Sequence, residues 1–166
     1  MVALAQLNRT ARRFAAALVR DFPQFAPHLS TLPDGHFSAE ISAPPRSKAR
    51  AIRCLSTRDG DLWIQLALRN AFYSVDSVPE MRSVLRAFFT DAVGFVLISR
   101  NRRWTGTTLV KLDVSPSLPM LRVGERARVI SWSGTHDHIV RSSTTKARPS
   151  RVKRVAPTGR PLHRAG

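Results

Sequence analysis

Residues 51–68 read AIRCLSTRDGDLWIQLAL: two apolar, strand-favouring runs on either side of Arg58-Asp59-Gly60-Asp61. An Asp-Gly pair between such runs is the strongest short-range hairpin signal, because a tight antiparallel connection needs residues that accept a positive φ. The stretch therefore predicts a hairpin of Ala51–Thr57 and Leu62–Leu68. Asp59 and Asp61 are assigned to the turn, where Asp serves its own backbone by hydrogen bonding, and not to acid–base chemistry. Cys54 falls in a register that points inward, where a free cysteine acts as a small hydrophobe.

Upstream, His36 to Ser42 alternates Phe37, Ala39 and Ile41 with polar neighbours and ends at Pro44-Pro45, which predicts a half-buried edge strand. Pro23, Pro27, Pro33 and Asp34-Gly35 make the preceding stretch a loop. From Val2 to Phe22, Leu4, Leu7, Ala11, Phe14, Leu18 and Phe22 share one arc at about 100° per residue, with Arg9, Arg13 and Arg20 nearly opposite. One amphipathic helix with its apolar stripe on the core is the expectation; a membrane surface, a transit peptide or a partner helix would use the same pattern.

Downstream, Ser77 and Glu80 form a capping box, and Met81, Val84, Leu85, Phe88 and Ala92 mark the buried face of a second helix. Val93 to Ser99 is an almost unbroken apolar run, as in a central strand covered on both faces. Asn101-Arg102-Arg103 turns it back into Trp104–Leu112, and after Pro116–Pro119 a last strand runs from Ala127 to Trp132. The order implies an α+β fold, with a mainly antiparallel sheet of about five to six strands, an N-terminal amphipathic helix and one central helix. Residues 1–140 are expected to form a single domain, and residues 141–166, with eight basic and no acidic side chains, a disordered Arg/Pro/Ser-rich tail.

The charge is lopsided. The 166 residues carry 27 Lys+Arg against 11 Asp+Glu, a net +16 that divides into +8 for residues 1–140 and +8 for the tail. That balance favours polyanionic partners. With one cysteine, the chain builds neither an intramolecular disulfide nor a Cys-rich zinc site. No run approaches the roughly 18 apolar residues of a bilayer span, and Arg9, Arg12 and Arg13 interrupt any secretory pattern, so a cytoplasmic location is expected.

No glycine spacing forms a phosphate-binding loop, and Ser131-Trp132-Ser133-Gly134 lacks the first glycine of a nucleophile elbow. In a strand, His136 and His138 would share one side and suit a transition metal; with no third ligand nearby, a solvated loop is the expectation. Trp63, Trp104 and Trp132 are read as core packing, although strand tryptophans beside arginines on an open face would stack bases. The sequence thus points to a non-enzymatic binding protein without cofactor or metal. Its expected nucleic-acid contacts are the hairpin tip Arg100, Arg102 and Arg103, together with Arg148, Arg151, Lys153, Arg154 and Arg160 of the tail. The alternative is a protein-binding module, such as a small bacterial immunity or accessory protein, docking on a single protein partner.

Overall fold

The computed structural model describes residues 4–57, 60–66, 72–112 and 119–142. Helix α1 (Arg9–Asp21) starts where the Asn8 side chain accepts from the Ala11 N–H at 2.9 Å. That cap divides the expected single helix, since Leu4–Gln6 form a separate 3-10 turn. The Arg12 guanidinium ties this turn down through the carbonyls of Leu4, Ala5 and Leu7. Leu7, Ala11, Phe14, Leu18 and Phe22 are buried, so the apolar stripe docks on the core.

Five antiparallel strands follow in sequence order: β1 (Leu29–Leu32), β2 (His36–Ser42), β3 (Ala51–Ser56), β4 (Leu62–Leu66) and β5 (Phe72–Val75). The expected β3–β4 hairpin forms, with Cys54 opposite Ile64; Arg58, Asp59, Ala67 and Leu68 lie outside the described residues. β2 is not an edge strand. It pairs with β1 on one side, Leu29 opposite Ala39, and with β3 on the other. β1 and β5 escaped the sequence reading because four residues are too few to display a period.

Helix α2 (Val78–Phe89) begins at Ser77, whose Oγ accepts from the Glu80 N–H at 3.2 Å. Glu80 in turn accepts from the Asp76 N–H at 2.8 Å, one residue ahead of the usual capping-box partner. Met81, Val84, Leu85 and Phe88 are buried as expected, whereas Ala92 lies beyond the helix end and is exposed. The helix stops at Thr90, whose hydroxyl donates to the Arg86 carbonyl at 2.9 Å, and Asp91 then turns the chain with φ 55°.

The second sheet contains β6 (Val93–Arg100), β7 (Arg103–Lys111), β8 (Glu125–Ile130) and β9 (His138–Arg141) in the order β7-β6-β8-β9. β6 is central, as its apolar run implies. Its turn into β7 is tight, with Asn101 and Arg102 both in the left-handed region at φ 50° and 64°. β8 is not the final strand, and Trp132 falls just past its end. The fold is therefore α+β, and the described residues form nine antiparallel strands divided between two sheets of five and four.

One large core joins α1, α2 and the inner face of the first sheet to Phe95 and Ile130 of the second. Phe88 meets Phe95 edge to face, ring centroids 4.9 Å apart, and truncating such a buried ring costs about 3–5 kcal/mol. The other face of the second sheet carries its own cluster of Val96, Val110, Leu112, Ala127 and Val129. Among the described residues, no helix is long and apolar enough to cross a membrane.

Candidate nucleic-acid interface

Strand register sorts the second sheet into cross-strand rows, because directly opposed residues share a face. The first row, Leu109–Phe95–Ile130, belongs to the large core. The next, Thr107–Leu97–Arg128–Ile139, emerges from it. The third, Trp104–Ser99–Arg126–Arg141, lies farthest out, after a bulge at Ile98/Ser99 brings Trp104 opposite Ser99. The large core therefore ends partway along β6, and the remaining face opens into a groove of about 920 Å³.

Five arginines line this groove: Arg102, Arg103, Arg126, Arg128 and Arg141. Among the described residues, none lies within 4.0 Å of a carboxylate; the ion pairs are Arg20–Asp21, Arg53–Glu40 and Arg82–Asp21. Glu125, the nearest acid in sequence, instead accepts from the Arg122 N–H at 2.8 Å. Arg126 and Arg141 are direct cross-strand partners. Like charges so placed are destabilising, and their folded position is compensated only by a counter-anion or by water. A planar guanidinium offers paired donors that match a phosphate, so the arrangement is suited to a phosphodiester backbone.

Trp104 stands at the border of the groove with 37% of its surface exposed. Its indole N–H donates to Thr107 Oγ1 at 3.0 Å, fixing the ring. Behind it, Phe72 lies 5.2 Å away by ring centroids, and Phe72 stacks on Trp63 at 4.3 Å and 27°. These two half-buried rings come from the outer face of the first sheet. The three form an aromatic ladder ending at the arginine face. Core packing holds for Trp132, which meets Phe89 edge to face at 4.8 Å, but Trp104 departs from it.

The hairpin tip divides. Arg102 and Arg103 reach the groove at its rim, although Arg103 shares the cross-strand row Arg103–Arg100–Glu125 and not that of Trp104; Arg100 does not line the groove. Arg148, Arg151, Lys153, Arg154 and Arg160 lie outside the described residues. Sequence reading passed over Arg126, Arg128 and Arg141, yet Arg126-Ala127-Arg128-Val129 alternates at the strand period, which puts both arginines on one face. Arg141, assigned to the tail, ends β9.

The His136-Asp137-His138 stretch is not wholly the expected solvated loop: His138 opens β9, and Asp137 turns its carboxylate onto the Ser131 N–H at 2.7 Å and the Lys48 N–H at 2.7 Å. Among the described residues, no three His, Cys, Asp or Glu side chains gather as a metal site would require. Cys54 is fully buried, and desolvation pushes its thiol far above the ordinary range. The chain matches no protein-family model, and no curated protein or solved structure matches it.

Proposed function

We propose that this chain is a non-enzymatic nucleic-acid-binding protein, which holds phosphates on the arginine face of its second sheet and adds affinity through its basic C-terminal segment. The observation that carries the reading is the groove itself, where five arginines converge without an ion-pair partner among the described residues. The +16 net charge supports it by steering anions toward the molecule. A cytoplasmic location belongs to the same reading.

The test is binding of the full chain to a short RNA and a short DNA. Affinity is expected to fall steeply between about 50 and 200 mM salt, as released counterions return to the phosphates. Absence of binding at low salt, or affinity indifferent to salt, would overturn the reading.

A second reading, a protein-binding module, is favoured by Ile139, which is 55% exposed on the edge strand β9. A sheet edge of this kind accepts an extended segment of a protein partner by strand addition. Ile139 also lines the groove, so replacing it by Lys would abolish such a complex while phosphate binding there would persist or strengthen with the added cation.

A further inference from the structure

The groove combines two kinds of surface with different ligand chemistry. The arginines alone suit any polyanion. Trp104 adds an aromatic face, exposed, held in orientation by Thr107 and supported from behind by Phe72 and Trp63. A side chain placed only for packing would turn its apolar ring away from the charged face; this ring stands in the same cross-strand row as Arg126 and Arg141. Resting on the phosphate-binding reading above, we propose that Trp104 is a stacking platform for an unpaired base, so that the ligand of this face is single-stranded nucleic acid.

The geometry separates the two contacts. Strands lie about 4.8 Å apart, so Trp104 is roughly 10 Å from Arg126 and about 14 Å from Arg141 measured across the row. A chain laid across the strands thus meets the ring first and the cations next, with a base on Trp104 and its neighbouring phosphates over β8 and β9. In a duplex, the base faces are closed by their neighbours above and below, and only the backbone remains for the arginines. Stacking requires a strand whose bases are free, and it tolerates any base because every base has a π-face. The Ser99 hydroxyl between Trp104 and Arg126 keeps that part of the row low, leaving space for the sugar.

The aromatic ladder also explains the cost that the site carries. The Trp63 indole N–H is buried without a hydrogen-bond partner among the described residues. The Trp63 ring area offsets that cost by stacking on Phe72, which in turn supports Trp104 from behind.

The experiment uses the full chain and four probes of equal length at one salt concentration: oligo-dT, oligo-U, a blunt DNA duplex and an abasic single strand that retains every phosphate. The base-bearing single strands are expected to bind about tenfold or more tighter than the abasic strand, the size of one base–aromatic contact. Replacing oligo-dT by oligo-dU in a comparison with oligo-U assigns the sugar, since those two share the same base. Trp104→Ala is expected to erase the advantage of bases while leaving abasic binding and its salt dependence unchanged, and Trp104→Phe to restore most of it. Native tryptophan fluorescence should be quenched by oligo-dT and not by the abasic strand. Equal affinity for all four probes, lost with salt, would overturn stacking and leave the phosphate reading intact. Absence of binding to any probe would overturn both. The probe comparison is made on the native chain, so it decides the matter even if Trp104→Ala folds poorly.

Discussion

Arg126 and Arg141 oppose each other across β8 and β9, an arrangement that folding alone disfavours. Replacing either by Gln is expected to leave thermal stability unchanged or raise it by about 0.2–1 kcal/mol, while nucleic-acid affinity falls. Arg53→Gln serves as the control, since Arg53 already holds Glu40 at 2.6 Å away from the groove: its loss should cost less than about 1 kcal/mol and leave binding untouched. Two further side chains predict an alkaline limit. Burial raises the Cys54 thiol, and burial with the nearby Glu80 and Asp76 carboxylates raises the Tyr73 hydroxyl. Both groups stay protonated in the folded chain at pH values where they ionise in the unfolded one. Their stability contribution is therefore complete below about pH 8.5 and is lost progressively as pH rises through the unfolded thiol and phenol values, about 8.5 and 10. Denaturant midpoints measured from pH 7 to 11 should fall, and Cys54→Ala together with Tyr73→Phe should flatten the decline. Native Cys54 is likewise expected to resist thiol reagents until the chain unfolds.

At the scale of elements, β9 owes its position to Asp137. The carboxylate accepts from the Ser131 N–H and hydroxyl and from the Lys48 N–H, while the Ser47 hydroxyl donates to the Ser131 carbonyl at 2.8 Å. Gly134 completes the junction, with φ 82° and no room for a Cβ, which would fall 2.5 Å from the Arg46 carbonyl oxygen. Asp137→Ala leaves the Ser131 N–H without its acceptor and is expected to cost about 1–3 kcal/mol, with faster amide exchange in β9 and weaker binding through Arg141. What was legible in the sequence follows from the same distinction between local and distant causes. The β3–β4 hairpin and α2 carry their signals within a few residues, in Asp59-Gly60 and in Ser77 with Glu80. Strands β1, β5 and β9 are four residues each and exist through their neighbours, so no local pattern marks them. Division into two sheets is a tertiary matter of the same kind. For the site, Arg102 and Arg103 were legible as a cationic tip, and the alternation at Arg126 and Arg128 was present to be read. The exposure of Trp104 was not, because the face of a strand tryptophan depends on where the large core ends, and that is set by residues far along the chain.

Over the whole molecule, a net charge of +16 works against compaction and in favour of anion capture. Anything that binds the folded state alone raises its stability, by about 2.7 kcal/mol at a hundredfold excess over Kd, so oligo-dT is expected to raise the melting temperature and salt to suppress that rise. The proposed function divides the phosphates between the groove and the C-terminal segment, and the slope of affinity against salt separates the two contributions. The most direct measurement is that slope, on a single-stranded oligonucleotide, for the full chain and for the chain carrying Arg126→Gln, Arg128→Gln and Arg141→Gln. Each lost phosphate contact on a single strand reduces the slope by about 0.7, so the triple variant is expected to be shallower by about 2 with its fold intact. Equal slopes and equal affinities for the two chains would contradict the account, because the arginine face would then hold no phosphate.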